Sequence, residues 1–219
     1  TYDESWFAPR DPGLGTVLVM LGVKGGIPEL AHHNFLFSDD WLDDFDAVFD
    51  GPVASRPQAA SQSIYVSKPS ATDPSVAPAG HENLFVLVPV PADPSVGHGD
   101  MYRGEASEQV QRIADAAVEQ IAARCGVAGL GRRIVVKQTL GPADFAERYN
   151  AWSGGSIGPA HTLRQSAFLR GSNKSRKVRS LMYAGATTAP GVGVPMCLIS
   201  AENVLKRVRG DRSSGPLDH

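Results

Sequence analysis

Between Gly15 and the Gly25-Gly26 pair runs TVLVMLGV, Thr16 to Val23, an unbroken apolar and largely β-branched segment that predicts a buried strand. HHNFLF, His32 to Phe37, predicts a second. The periodicity then changes. Trp41, Leu42, Phe45, Val48 and Phe49 follow the i, i+3, i+4, i+7 spacing of a helix face. Ser38 is the N-cap this pattern assigns and Gly51 the stop, with the six aspartates from Asp39 to Asp50 as the wet face.

Further strands are predicted at Ser63 to Lys68 and Asn83 to Val90, separated by the proline-punctuated PSATDPSVAPAGHE, and at Arg132 to Leu140. Glu105 to Arg124 is the clearest helix: Val110, Ile113, Ala114, Ala117, Val118 and Ile121 form its apolar face and Gly126 ends it. Pro142 opens a helix over ADFAERYN. The last unit reads as a strand over SLMYAGA, a turn over TTAPGVGV, and a helix over PMCLISAENVLKRVR. Leu198, Ala201, Val204, Leu205 and Val208 give that helix an apolar side, while Lys206, Arg207 and Arg209 suit its negative C-terminal end. GDRSSGPLDH reads as a frayed tail. Strands and helices without strict βαβ alternation predict an α+β fold, a mixed or antiparallel sheet with flanking helices.

Composition narrows this picture. An apolar share of 42% over 219 residues excludes wholesale disorder and fibrous repeats, and 23 glycines with 16 prolines argue against a helical bundle. The net charge of −2 conceals an asymmetry: residues 1–60 carry −7, residues 61–160 carry −2, and residues 161–219 carry +7. The basic third suits an anionic cofactor, an anionic membrane surface or nucleic acid, or is a solvated patch. Cys125 and Cys197 show no CxxC or secreted-scaffold spacing, so a reduced, cytoplasmic chain is expected. The start lacks a signal peptide and an initiator Met, which suggests a processed or excised chain. The charge-free run from Leu181 to Ala201 has the length of a membrane span, but its glycines and prolines would break one.

Candidate chemistry is sparse. His32 and His33 are adjacent, and on a strand they point to opposite faces, so no shared metal is expected; the other histidines are isolated and no HExxH occurs. No GxSxG elbow supports a hydrolytic triad. Basic patches lack interleaved aromatics, so no nucleic acid is expected. The informative segment is YAGATTAPGVGVPM, Tyr183 to Met196. There a glycine-rich turn feeds a helix whose free N–H groups favour a phosphate or a polar carbonyl, unless it is a plain strand-to-helix turn.

Four stretches carry a resemblance. They are LAHHNFLFSDDW (Leu30 to Trp41), SIYVSKPSATDPSVAPAGHENLFVLVPVP (Ser63 to Pro91), PADFAERYNAWSGGSIGPAHTLRQSAFLR (Pro142 to Arg170) and LMYAGATTAPGVGVPMCLISAE (Leu181 to Glu202). Together, in this order, they resemble the C-terminal part of the bacterial-type phytoene desaturase family, FAD-dependent carotenoid dehydrogenases of the flavin amine oxidase-like superfamily. The last stretch is similar to that family's GAxTxPGxGxP flavin signature.

The resemblance implies that residues 1–180 are a substrate domain, 181–210 the final strand–helix unit of an FAD-binding Rossmann-like domain, and 211–219 a tail. It implies that Gly185, Ala186, Thr187 and Thr188 approach the ribityl and diphosphate part of FAD. Gly193, Val194, Pro195 and Met196 would place helix N–H groups near the isoalloxazine carbonyl. Asn150, Ala151, Trp152, Leu163 and Gln165 would line the path of a long apolar isoprenoid, under a sheet built from the strands near 16–23, 63–68 and 83–90. No catalytic residue is named. The GxGxxG-bearing half of such an enzyme is not found in the chain, because Gly13-Leu14-Gly15 precedes its strand and lacks the third glycine. The missing N-terminal half is then a partner. The implied activity is removal of hydrogen from a saturated bond in an isoprenoid. Peripheral docking at the inner face of the membrane is expected through Arg170, Lys174, Arg176, Lys177 and Arg179, which otherwise form a solvated loop. Two other readings stay open: a non-catalytic fragment that binds an apolar ligand or a partner chain, and a sister flavoenzyme, a saturase or isomerase.

Overall fold

The computed structural model describes residues 2 to 217. In chain order its elements are α1 (Glu4–Phe7), β1 (Leu14–Lys24), β2 (His33–Leu36), α2 (Trp41–Phe49), β3 (Ile64–Ser67), β4 (His81–Pro91), α3 (Glu108–Cys125), α4 (Leu130–Arg133), β5 (Ile134–Leu140), α5 (Pro142–Tyr149) and α6 (Val194–Arg209). The chain forms two compact units. One runs from Leu14 to Ser156; the other comprises the residues up to Gly13 and those from Ile157 onward.

The first unit is the expected α+β arrangement, with one antiparallel five-stranded sheet in the order β2-β3-β4-β1-β5. β1 and β4 pair over eleven residues, from Leu14 opposite Pro91 to Lys24 opposite His81. Alternation sends Val17, Val19, Leu21 and Val23 of β1 and Leu84, Val86, Val88 and Val90 of β4 to one face, where all are buried. The Val110, Ile113, Ala114, Ala117, Val118 and Ile121 stripe of α3 joins the same cluster, as the spacing predicts. Gly126, in the left-handed region at φ 71°, ends that helix. On the opposite face Leu18, Met20, Tyr65, Phe85 and Leu87 stay half-buried, and α2 lies beside its Leu14 and Pro89 end.

Several expectations are corrected. Asp40, not Ser38, caps α2, accepting from the Leu42 and Asp43 N–H groups at 3.0 and 3.1 Å. The Ser38 hydroxyl is held instead by the Arg56 guanidinium at 2.8 Å. The aspartates of this helix are not all wet: Asp44 is buried with Ala47 and Val48, while Trp41, Leu42, Phe45 and Phe49 are exposed. The exposed aromatics meet in series, Phe35 with Phe37 and Phe45 with Phe49 stacked and Trp41 tilted against Phe37 and Phe45, with centroid separations of 5.4 to 6.4 Å. His32 and His33 do not diverge, because β2 begins only at His33; their rings lie 4.3 Å apart. The strand predicted at Arg132 starts at Ile134, since Leu130–Arg133 takes a helical turn first.

The second unit holds α1, short 3₁₀ turns and α6. The strand predicted over residues 180–186 does not form. Its backbone pairs only briefly with residues 173–175: the Ser175 N–H donates to the Leu181 carbonyl at 3.0 Å, the Tyr183 N–H donates to the Asn173 carbonyl at 2.9 Å, and Lys174 bridges Met182, which falls short of a ladder. The predicted apolar side of α6 is open, with Leu198, Leu205 and Val208 exposed and only Ser200 buried.

Candidate functional site

The second unit gathers the glycine-rich turn onto α6. The Gly185 N–H donates to Ser200 Oγ at 3.1 Å, and the Thr188 N–H and Oγ1 both donate to the Gly185 carbonyl at 3.1 Å. Thr188 and Ser200 hydroxyls meet at 2.9 Å, and Asn173 Nδ2 lies 3.0 Å from Ser200 Oγ. Ala186 is held through its carbonyl, which accepts from Arg170 Nε at 2.7 Å. The same guanidinium donates to the carbonyls of Ile157, Pro159 and Gln165. Burial lowers the pKa of Arg170, which still leaves a guanidinium charged at neutral pH. Gln165 forms a reciprocal pair with the Asp11 backbone, both bonds at 3.0 Å.

Gly185 and Gly193 sit at φ 119° and 110°, backbone that side chains rarely adopt, and no atom lies within 4 Å of where a Cβ would be on either. Both therefore offer bare backbone to a ligand. Gly193 leads directly into α6, a sixteen-residue helix. Its first-turn N–H groups lack intrahelical acceptors, so they favour an anion or a polar carbonyl. The Pro195 ring occupies the first turn, where its missing N–H costs nothing. His161 borders Gly191; partial burial, then the Arg170 charge, lowers its pKa.

The expected residues are thus placed as follows. Gly185, Ala186, Thr187, Thr188, Gly193, Val194, Pro195 and Met196 share one unit, and Ser200 joins the two halves of the turn. Gly193, Val194 and Pro195 are exposed, Thr187 and Met196 half-buried, and Thr188 buried with its hydroxyl bonded internally. Leu163 and Gln165 belong to the same unit, Leu163 exposed and Gln165 buried. Asn150, Ala151 and Trp152 belong to the sheet unit, at the end of α5, where Asn150 closes the helix at φ 49°. Of the basic residues expected at a surface, Lys174, Arg176, Lys177 and Arg179 are exposed, but Arg170 is buried, because its guanidinium is consumed by four carbonyls. Among the described residues no group of three His, Cys, Asp or Glu gathers as metal ligands, and no helix is long and apolar enough to cross a membrane.

Arg170, Asn173 and Ser200 are the residues the sequence pattern did not mark as builders of the turn. A lone serine among apolar neighbours on α6 carries no signal until its partners, 12 and 27 residues away, are seen beside it.

In the sheet unit the face opposite α3 carries a continuous apolar row. Phe35, Tyr65, Leu87, Leu18 and Leu140 stand opposite one another across all five strands. Beside this row lies a groove of about 430 Å³ lined by Met20, Gly22, Val76, His81, Phe85 and Val136. Among the described residues that line it, Glu82 is acidic and none is Lys or Arg. His33 Nδ1 and the Tyr65 hydroxyl, 2.7 Å apart, form a polar edge to the row.

The fold is α+β, with an antiparallel five-stranded sheet in one unit and a glycine-rich turn leading into α6 in the other. No family model matches the chain. It is 42% identical over 210 residues to the carotenoid 3,4-desaturase of Haloarcula japonica, a match covering 96% of this chain and 40% of the relative. It is 34% identical to the zeta-carotene-forming phytoene desaturase of Myxococcus xanthus, covering 87% and 35%. It is 31% identical to the 4,4'-diapophytoene desaturase of Staphylococcus aureus, covering 98% and 41%. Over most of its length the chain is similar to these carotenoid desaturases, and it spans about two fifths of their length.

Proposed function

We propose that the chain is the substrate-binding and flavin-closing portion of an FAD-dependent carotenoid desaturase, which dehydrogenates a long apolar isoprenoid. The observation that carries this reading is the apolar row Phe35–Tyr65–Leu87–Leu18–Leu140, running across the sheet from exposed Phe35 to buried Leu140 in a chain similar to carotenoid desaturases. At about 4.8 Å per strand, that row extends roughly 19 Å, a platform for an extended hydrocarbon. The apolar side chains bind the polyene by excluding water and align it without hydrogen bonds.

FAD fits the second unit, on the bare backbone of Gly185 and Gly193 and on the first-turn donors of α6. A bound flavin supplies the hydride acceptor of the reaction. Toward it, Gly185 and Ala186 present backbone, while the N–H groups of Val194 and Met196 stabilise negative charge on a carbonyl. Thr187 is the half-buried hydroxyl of the turn; Thr188 acts by support, since its own hydroxyl is occupied. Residues 1–180 serve the substrate and 181–210 the flavin, with the nucleotide-binding half supplied by a preceding sequence. Lys174, Arg176, Lys177 and Arg179 provide a cationic approach to an anionic bilayer from which the substrate is drawn.

The test is production of the chain together with a GxGxxG-bearing half in a phytoene-accumulating host. New pigment absorbing at longer wavelength is the expected result, with a flavin band in the purified assembly. Unchanged pigment overturns the desaturase reading, and a missing flavin band leaves the apolar-ligand binder.

A further inference from the structure

We infer that Asn173, Thr188 and Ser200 are positioning residues, which fix the Gly185 peptide against α6 so that a flavin meets a preset backbone. The inference rests on the flavin reading above.

The hydrogen bonds form a circuit that begins and ends on one residue. The Gly185 N–H donates to Ser200 Oγ at 3.1 Å, the Ser200 and Thr188 hydroxyls meet at 2.9 Å, and Thr188 Oγ1 donates to the Gly185 carbonyl at 3.1 Å. With the serine hydroxyl donating to the threonine, each hydroxyl donates once and all proton directions agree. Asn173 Nδ2 anchors the circuit, lying 3.0 Å from Ser200 Oγ and 3.1 to 3.2 Å from Thr188 Oγ1 and the carbonyls of Tyr183 and Ala189. The next carbonyl along, that of Ala186, is held by Arg170. Three consecutive peptide units of the turn, through the Gly185 N–H and the carbonyls of Gly185 and Ala186, are therefore gripped by side chains.

Their burial makes this unusual. Ser200 is fully buried, and Thr188 and Asn173 are 3% and 4% exposed. Apolar residues would fill the same space without three groups that each need a partner. A satisfied polar network, by contrast, admits few geometries and so specifies one. What it specifies is on the other side of the peptide: Gly185 lies at φ 119° with open space over its Cα, and Gly193 does the same at the start of α6. The circuit ties these two bare glycines together through the helix that Ser200 and Gly193 share. Thr188 and Ser200 are enclosed, so neither touches the ligand.

The experiment compares Thr188→Val, Thr188→Ser and Ser200→Ala with the unsubstituted chain, each assembled with a GxGxxG-bearing half. FAD binding is read by quenching of flavin fluorescence, and amide hydrogen exchange is followed at Gly185 and Ala186 against β1 and β4. Thr188→Val and Ser200→Ala are expected to weaken FAD binding about tenfold, the scale of one lost hydrogen bond, and to speed exchange at Gly185 comparably. Thr188→Ser, which keeps the hydroxyl, is expected to stay within about threefold. Protection in β1 and β4 is expected to be unchanged. FAD binding by Ser200→Ala and Thr188→Val equal to the unsubstituted assembly overturns the inference. So does equal damage from Thr188→Ser, or loss of protection throughout the chain, either of which makes the circuit mere packing. An unsubstituted assembly that binds no FAD overturns the flavin reading itself, a result distinct from these.

Discussion

The Asp44 carboxylate and the Arg56 guanidinium meet at 2.9 Å with both side chains buried. Asp44 also accepts from the Gln62 N–H at 2.8 Å and from the Ser63 N–H and hydroxyl at 3.1 and 2.6 Å, while Arg56 reaches Ser38. One charge pair thus joins α2 to the loop before β3. It also explains why the helix turns its Asp44 side inward. Satisfying a buried carboxylate demands every one of these donors, and the aromatic stripe is left to face outward.

Asp44→Ala leaves the Arg56 charge buried without its counter-ion and is expected to cost about 3–5 kcal/mol of stability. The double substitution Asp44→Leu with Arg56→Leu is expected to cost clearly less. Urea unfolding of the two variants checks the order; a single variant as stable as the parent would remove the pair from the architecture.

Stability is also expected to depend on pH through Asp44. Burial raises its pKa, but the hydrogen bonds from Ser63, the Gln62 N–H and Arg56 outweigh it, so the carboxyl titrates below the ordinary range. A folded pKa below the unfolded one means stabilisation that is complete above about pH 4 and is lost as pH falls through the folded value. Urea midpoints are therefore expected to hold from neutrality to about pH 5 and to drop below pH 4, less steeply in Asp44→Asn.

Arg170→Met removes the donor shared by the carbonyls of Ile157, Pro159, Gln165 and Ala186. A local loss of about 1–3 kcal/mol is expected. Limited proteolysis should then cut between residues 157 and 190 sooner than in the parent, with β1 and β4 still protected.

Gly193→Ala places a Cβ in open space but at φ 110°, ψ 150°, a region essentially reserved for glycine. The expected cost is about 1–3 kcal/mol from backbone strain alone. Gly215→Ala, equally uncrowded and without a positive φ, serves as the comparison and is expected to change stability by less than about 0.5 kcal/mol. Equal thermal midpoints for the two would show that the turn tolerates a side chain.

Phe35→Glu tests the sheet face. Phe35 is 63% exposed, so its loss is expected to shift stability by no more than about 0.5 kcal/mol. Binding of a polyene delivered from detergent, followed by quenching of tryptophan fluorescence, is expected to weaken severalfold. Unaltered binding would place the hydrocarbon elsewhere.

The core was legible in the sequence because its strands and helix carry complete local patterns. TVLVMLGV and NLFVLVPV pair in full register, and Val110 to Ile121 pack where their spacing directs them. The glycines of GATTAPGVGVP announced a special backbone, and Gly185 and Gly193 have one. Long-range choices were not legible. The stripe from Trp41 to Phe49 defined a helix face but not its direction, which the Asp44–Arg56 pair decided from twelve residues away. The residues 180–186 are strand-like by pattern, yet their pairing with residues 173–175 does not extend into a ladder, because a strand exists only through a neighbour. Thr188 reads as a ligand hydroxyl and is buried with its hydroxyl bonded to Gly185 and Ser200, and Ser200 carries no sequence signal until Asn173 lies beside it. Periodicity encodes burial within an element, so the sequence by itself determined the five strands of the sheet and the α3 stripe, and its glycines marked the turn. Hydrogen-bond partnership between distant residues has no period, and only the tertiary structure decided it.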